Sequence, residues 1–270
     1  MERHEKIISN QDKYIRELKR NRVIINICRA LGMILLLALW ELAGRMEWID
    51  TFIFSGPVKI VQCFFRMLKT QDLILHTWIT LRETFLSFIL MIGIGVLFAV
   101  ILWRFERVAK ILEPYFVVLN SLPKSALAPL LLVWLGANQR TIVVSGISVG
   151  VFGAIINLHA GFLKVDPEQI KLIETLGGNK RHVLRKVILP STLPILISVM
   201  KVNIGLSLVG VVIGEFFAAN KGLGYLIVYG SQVFKLDMVV MSIVILCILT
   251  ILFYQVIQLL EKSILKIFAM

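Results

Sequence analysis

The sequence is poor in the residues that build most metal centres. Its 270 residues include three cysteines and four histidines. The cysteines are odd in number and too far apart for a disulfide framework or a C-x-x-C metal site. The histidines are equally scattered along the chain. The residues concerned are Cys28, Cys63 and Cys247, with His4, His76, His159 and His182. The sequence therefore predicts no metal site.

Sequence motifs for nucleotide hydrolysis and for hydrolytic catalysis are also missing. No G-x-x-x-x-G-K-[ST] loop occurs, and the glycine-rich stretch 177–180 has the wrong spacing to cradle phosphates. Neither H-E-x-x-H nor G-x-S-x-G is present, and no pair of carboxylates falls within an apolar segment. We therefore expect no catalytic residues, no cofactor and no ATP hydrolysis by the chain itself.

Apolar residues, by contrast, are abundant. They make up 58% of the chain, whereas soluble proteins contain about 45–50%. The surplus forms six stretches, each near the roughly 20 residues that cross a bilayer as a helix. The stretches are Val23–Ala43, Phe85–Trp103, Tyr115–Leu135, Thr141–Phe162, Leu193–Ala218 and Met238–Leu260. The pattern predicts an all-α polytopic membrane domain of six transmembrane helices over residues 23–270, preceded by a charged segment, 1–22.

The net charge of +12 is unevenly distributed along the chain. Lys and Arg concentrate in segment 1–22, between the second and third stretches, in loop 164–190 and at the C-terminus. Because cytoplasmic loops carry the excess of Lys and Arg, this distribution predicts that both termini and loop 164–190 lie in the cytoplasm. The basic residues then orient the chain in the cell membrane among lipid headgroups, and we expect no nucleic-acid partner.

Loop 164–190 contains a predicted pair of short helices joined by glycine. Asp166 and Pro167 suit the start of the first helix, with Gln169 placed for a capping box. Gly177-Gly178 ends that helix, and Asn179 can cap a second one that stops before Pro190. We call this helix–glycine–helix segment, 166–190, the elbow. A stiff helical elbow at the water surface of a membrane protein suits contact with a partner.

Breaks and charges within the apolar stretches mark candidate functional positions. Pro123 and Pro129 each remove a helical hydrogen bond, which is tolerated at membrane depth beside protein or a water-filled cavity. Lys124, Lys201 and Glu215 are ionisable residues in apolar surroundings, where a charge costs several kcal/mol and usually faces a cavity or a partner. Structural ion pairing and a direct role in a pathway remain alternative interpretations of these three residues.

Three motifs resemble the permease subunits of binding-protein-dependent ABC importers. The elbow matches the EAA loop of that family in its glycine, nine intervening residues and I-x-L-P, although Lys171, Leu172 and Ile173 replace the acidic and small residues. The two prolines with W-L-G match the third span, and the acidic residue before G-L-G-Y-L-I matches the end of the fifth. The matching residues are Gly177, Val187–Pro190, Pro123, Pro129, Trp134–Gly136, Glu215 and Gly222–Ile227.

The resemblance implies a type I importer fold and a set of partners. Within the family, the chain looks most like the branch that imports nitrate, sulfonates, taurine and some vitamin precursors. Two permease copies, a homodimer, would form the pathway, two cytosolic ATPase subunits would each bind one elbow, and an extracytoplasmic binding protein would deliver the solute. The expected ATPase-binding residues are Ile170, Lys171, Ile173, Glu174, Leu176, Gly177, Gly178, Asn179 and Lys180. The expected pathway residues are Pro123, Lys124, Pro129, Lys201 and Glu215.

Two other functions are weighed against the importer. An ion-gradient-driven secondary transporter would commonly show internal repeats with paired broken helices, and we find one proline-broken span and no convincing repeat. A membrane-embedded enzyme or scaffold without a pathway is the second alternative. The missing cluster of carboxylates or histidines argues against the enzyme.

Overall fold

Most of the chain is helical in the structure, which is a computed structural model. Described are residues 2–70 and 72–268, with the side chains of 20–21, 24–25, 27–29, 31–70 and 72–263. No strand occurs in these ranges. The helices are α1 Glu2–Arg45, α2 Thr51–Phe54, α3 Pro57–Lys69, α4 Asp72–Arg104, α5 Glu106–Ser121, α6 Lys124–Leu135, α7 Gln139–Leu163, α8 Pro167–Thr175, α9 Lys180–Val183, α10 Leu189–Ser191, α11 Leu193–Ala218, α12 Leu223–Gln232 and α13 Leu236–Phe268. A π-helical turn, Leu184–Ile188, joins α9 to α10.

Two compact units make up the chain, Met1–Cys63 and Phe64–Met270. In the first, α1 runs without a break from the charged segment 1–22 into the apolar stretch, and most side chains of that segment lie outside the described ones. Asp50 caps α2 by accepting from the Phe52 N–H at 2.8 Å. The Glu41 carboxylate accepts from the Arg45 guanidinium at 3.0 Å and from the Val58 N–H at 3.3 Å. These bonds fix the turn that follows α1.

Within residues 2–70 and 72–268, five helices could cross a membrane by length and composition, or six if one bent pair forms a single span. They are Ile27–Arg45, Asp72–Arg104, Gln139–Leu163, Leu193–Ala218 and Leu236–Ser263, with the pair α5 and α6 as the sixth. The predicted all-α polytopic fold is confirmed. The fifth predicted stretch coincides with α11 residue for residue, because prolines near its start and a charged turn after its end delimit it.

The third stretch, Tyr115–Leu135, is broken by proline, as its sequence predicts. The chain breaks between Ser121 and Lys124, and α5 and α6 meet at 96°. Pro123 is the cause, since its ring disfavours helical geometry at Leu122, whose ψ is 138°. Pro129 lies within α6 and leaves that helix intact.

The sequence predicts a basic loop between the second and third stretches, but the structure has almost no loop there. α4 continues to Arg104 and α5 begins at Glu106, so a single residue, Phe105, joins the two helices. The cations predicted for a loop therefore lie at a helix end or in the first turns of α5. There Lys110 pairs with Glu106 at 2.8 Å.

The core of the second unit is a close approach of α7 and α11. Serine and glycine make it possible: the Ser145 hydroxyl donates to the Gly210 carbonyl at 2.8 Å. A Cβ at Gly210 would lie 2.7 Å from the Ser145 carbonyl oxygen, and one at Gly214 would lie 2.8 Å from the Ile142 Cα. Small residues are the usual means of helix association in lipid, where apolar burial gives no driving force. These glycines serve packing within one chain.

Candidate functional site

The elbow forms much as its sequence predicts. Asp166 accepts from the Glu168 N–H at 2.9 Å and starts α8. Gly177 adopts a φ of +80°, the left-handed conformation that glycine tolerates best. The capping box predicted at Gln169 forms instead at Asn179, whose side chain accepts from the His182 N–H at 3.1 Å while His182 Nδ1 accepts from the Asn179 N–H at 3.2 Å.

The two sides of α8 differ in what they contact. Ile170 and Ile173 are half-buried and pack against the apolar cluster at this end of the bundle, which includes Leu158, Val183 and Ile188. They anchor the elbow to the bundle. A different side carries Leu172, which is 61% exposed, and Leu176, which directly follows the helix, is 76% exposed. The exposed predicted partner-binding residues are Lys171, Glu174, Leu176, Gly177, Asn179 and Lys180, while Gly178 is half-buried.

The break between α5 and α6 lies at mid-depth of the bundle. The Lys124 ammonium donates to the Leu119 carbonyl and lies 5.5 Å from the centre of the Phe152 ring. Phe152 is close to the middle of α7. The structure therefore holds a partly exposed cation beside an interrupted helix, well away from both ends of α7. Pro123 and Pro129 are exposed at the same place.

A cavity of about 490 Å³ lies between α7 and the first half of α11. Its polar lining includes Asn157, Lys164, Ser198 and Asn203, and its apolar lining includes Val202. Asn203 is 3% exposed, and its amide donates to the Val199 carbonyl at 2.8 Å. Its Oδ1 finds no partner among the described residues. The size and the mixed lining suit a small polar molecule.

Glu215 belongs to a buried network at the end of the bundle opposite the elbow. Its carboxyl accepts from the Thr80 hydroxyl at 2.7 Å and from the Gly224 N–H at 2.5 Å. The Thr80 oxygen accepts from the Leu223 N–H at 2.8 Å, and His76 Nδ1 accepts from the Gly222 N–H at 2.8 Å. These bonds hold the start of α12 against α4 and α11.

A second carboxyl joins this network, contrary to the expectation that no carboxylate pair lies in an apolar segment. Glu83, 3% exposed, lies near the carboxyl of Glu215. Its Oε2 has no partner among the described residues. The sequence-based boundary at Phe85 placed Glu83 outside the span, whereas α4 begins thirteen residues earlier, at Asp72.

Lys201 forms an ion pair with Glu261, a residue that the sequence analysis does not single out. Its ammonium donates to Glu261 Oε2 at 2.5 Å and so joins α11 to α13. The side chains of the two residues are 20% and 24% exposed. Lys124, Lys201 and Glu215 thus occupy three separate places, and the Lys124–Glu215 pair considered from the sequence does not form.

Comparison with known proteins identifies the family. Residues 91–266 match the family described as binding-protein-dependent transport system inner membrane component. Since the match covers well over half of the chain, the chain belongs to this family. It is a multi-pass membrane protein, the permease subunit of a binding-protein-dependent ABC importer, in which a partner subunit hydrolyses ATP. The family predicted from the three motifs is confirmed.

Relatives in several bacteria have similar lengths. A putative aliphatic sulfonates transport permease of Bacillus subtilis is 26% identical over 232 residues, or 86% of this chain and 84% of the relative. A formylaminopyrimidine transport permease of Halalkalibacterium halodurans is 28% identical over 200 residues, or 72% and 77%. A riboflavin transport system permease of Chloroflexus aurantiacus is 26% identical over 234 residues, or 87% of each chain.

Solved structures support the fold. The MetNI methionine ABC transporter in an inward-facing conformation matches with a TM-score of 0.61 and 19% identity, covering 69% of this chain and 93% of that one. An amino acid ABC transporter crystallised with histidines matches with a TM-score of 0.55 and 21% identity, covering 74% and 98%. At this identity the likeness defines the architecture, which is that of type I ABC importer permeases.

Proposed function

We propose that the elbow couples this permease to its ATPase partner. The observation that carries the proposal is the asymmetry of α8. One side is anchored to the bundle by Ile170 and Ile173. A different side presents Leu172 and, directly after the helix, Leu176, both more than half exposed. Exposed leucines on a helix anchored from behind fit a groove on a soluble protein, because an apolar side chain gains free energy on leaving water. Lys171, Glu174 and Gly177 surround them.

The direct test is co-purification of the permease with its ATPase. Leu172→Asp and Leu176→Asp should each weaken association, since a carboxylate would be buried without a partner. Gln169→Asp, at an exposed position near the start of the same helix, is the matched control and should leave association intact. Gly177→Trp should leave insertion unchanged and uncouple uptake from ATP hydrolysis. Normal association and uptake in all three test variants would contradict the proposal.

The loss of association must be separated from misfolding. Thermal unfolding of the purified permease without its partner provides this measurement. Because Leu172 and Leu176 are exposed, their substitution should leave the unfolding midpoint close to that of the native chain. In the same preparation, ATPase activity should stay at background, because the chain has no phosphate-binding loop. Robust turnover after removal of contaminating ATPases would refute this assignment of roles.

The orientation and the pairing of the permease follow from the same hypothesis. The elbow, both termini and their cations would lie in the cytoplasm, as charge asymmetry favours.

Two copies would form the pathway. A stripe on α11 supports pairing: Val202 and Val209 are 63% and 52% exposed, and a Cβ at Gly205 would meet no atom within 4 Å. Glycine in a helix costs about 1 kcal/mol relative to alanine. Close approach of a second copy at this position would explain why the helix has glycine there.

Pairing along this stripe is testable by cross-linking. In a chain whose three native cysteines are replaced, Gly205→Cys should form a dimer on mild oxidation in membranes, whereas cysteine at the exposed position Ile248 should not. Equal cross-linking at the two positions would refute the proposal that this stripe on α11 forms the interface between two copies. Positions on the elbow should react with membrane-impermeant thiol reagents only from the cytoplasmic side.

The solute is a small polar or anionic molecule in this proposal. Two cations support it: Lys124 at mid-depth beside the helix break, and Lys164 in the lining of the 490 Å³ cavity. Asn203 and Ser198 add polar groups to the same lining. Pro123 and Pro129 would border the pathway, and the outer binding protein would deliver the solute. The named relatives transport sulfonates, formylaminopyrimidine and riboflavin, and competition for uptake among such compounds would identify the solute.

A further inference from the structure

A second cavity lies where α4 ends beside the elbow. It has a volume of about 540 Å³ and lies between the last turns of α4 and the second half of the elbow. Val100 and Trp103 form the wall from α4, and Leu184 is on the side of the elbow. All three are half-buried. The cavity therefore has an apolar inner part that continues the apolar length of a span.

The outer part of this cavity is lined by cations. Arg104, Lys180 and Arg181 line it, and all three are exposed. Glu106 is the carboxylate near Lys180, but it already pairs with Lys110 at 2.8 Å. Three positive charges thus converge on one cavity with little compensation. Such a cluster attracts an anion, and two guanidinium groups can each bind a phosphate through two parallel hydrogen bonds.

The position of the cavity along α4 favours a lipid over a soluble protein as its ligand. Val100 and Trp103 belong to a helix long and apolar enough to cross a membrane. Tryptophan and basic residues at the end of a span mark the level of the lipid headgroups. A soluble ATPase would meet Leu172 and Leu176 on α8, whereas reaching Val100 would require it to enter the bilayer. The site thus combines an apolar wall, which suits the acyl chains of a phospholipid, with a basic rim, which suits its phosphate.

We propose that this cavity binds the headgroup of an anionic phospholipid. Arg104 and Arg181 would bind the phosphate, Lys180 would add a third charge, and the glycerol end of the acyl chains would lie against Val100 and Trp103. Basic pockets between transmembrane helices on the cytoplasmic side are known to hold such headgroups. One lipid bound here would join the end of α4 to the elbow and would make transport sensitive to lipid composition.

Lipid retention by the purified permease tests the proposal without requiring any partner. The chain is purified in detergent, mixed with phosphatidylglycerol or phosphatidylcholine, and examined by native mass spectrometry. The native chain should retain phosphatidylglycerol in preference. Arg104→Gln and Arg181→Gln should each weaken retention about fivefold, the effect of removing one basic residue at a membrane surface. Arg107→Gln and Lys186→Gln, exposed cations outside the cavity on the adjoining segments, are the matched controls.

A second measurement places the lipid in the cavity. Brominated phosphatidylglycerol quenches nearby tryptophan, so quenching should fall in Trp103→Phe and in Arg104→Gln, but not in Arg107→Gln. Arg104→Lys, which keeps the charge, should bind the lipid better than Arg104→Gln does. That result would show that the loss of lipid binding in Arg104→Gln is not due to misfolding. Equal retention by all glutamine variants would overturn the proposal. Displacement of the lipid by millimolar inorganic phosphate would assign the site to a free anion instead, and would equally refute a lipid site.

The design also distinguishes this inference from the coupling hypothesis. Arg104 lies outside the elbow, and its substitution should leave ATPase association unchanged. If Arg104→Gln released the ATPase subunit while lipid retention stayed native, the cavity would belong to the ATPase interface. If Leu172→Asp abolished ATPase association but not lipid retention, both proposals would stand. Failure of coupling at α8 therefore leaves the lipid site to be judged by its own measurements.

Discussion

Removing the charge of Lys201 should destabilise the permease, and removing its partner's charge as well should cost less than the sum of the two single losses. The Lys201 ammonium lies 2.5 Å from Glu261 Oε2, and each side chain is about one quarter exposed or less. Lys201→Met removes the cation that pairs with the Glu261 carboxylate. The double variant, Lys201→Met with Glu261→Gln, leaves no uncompensated charge there.

The geometry bounds the size of the effect. Two unit charges 2.5 Å apart attract by about 6–7 kcal/mol at an effective dielectric constant of about 20. Desolvation of both groups offsets most of this attraction, and breaking a fully buried pair costs about 3–5 kcal/mol. Because both side chains keep some contact with solvent, we expect about 2–3 kcal/mol for each single variant. The coupling between the two sites should be about 1–2 kcal/mol.

Equilibrium unfolding in mixed SDS micelles measures the four members of this cycle. Lys262→Met, next to Glu261 and exposed, is the control and should change the free energy of unfolding by less than about 0.5 kcal/mol. Uptake by the assembled importer is the second measurement. Additive losses would refute the ion pair as a structural element. A stable double variant without uptake would show that Lys201 acts on the solute, as the pathway interpretation requires.

The remaining predictions use the same assays. Gly210→Ala should cost about 1–3 kcal/mol because its methyl group meets α7 backbone, whereas Gly205→Ala should leave the isolated chain as stable as before; equal stability of the two would refute the packing. Glu215→Gln should cost about 1–3 kcal/mol, since an amide nitrogen cannot accept the Gly224 N–H; native stability would contradict the network. Lys124→Met should reduce uptake and leave stability and ATPase association unchanged; normal uptake would remove it from the pathway.

The sequence was sufficient where local chemistry decides the structure. The caps of the elbow, the left-handed Gly177 and the bounds of α11 all depend on neighbours within a few residues. The G-x-x-x-G pairs indicated close helix packing, although not which helices would meet. Hydropathy also found the spans, apart from their ends. Trp134, two residues before the Gly136 cap of α6, is 69% exposed, and nothing in its neighbourhood indicates its role.

Long-range pairings could not be predicted in this way. Glu83 lies 132 positions from Glu215, and Glu261 lies 60 from Lys201, so only the packed bundle brings them together. The run of His76, Thr80 and Glu83 at helical spacing ahead of the second stretch was the available signal. It places polar groups on one side of a helix, and extending that stretch toward Asp72 would have exposed it.

The distribution of packing and polar bonds indicates where this permease can move. α7 and α11 meet through glycine, where backbone atoms lie against each other and leave no room for sliding. The elbow is anchored to one end of this pair by Ile170 and Ile173. At the other end, Glu215 holds the start of α12. Close-packed interiors transmit displacement instead of absorbing it. A force on the elbow would therefore turn this pair of helices as a unit, and the break at Pro123, where α5 and α6 meet at 96°, is the place where the bundle can yield.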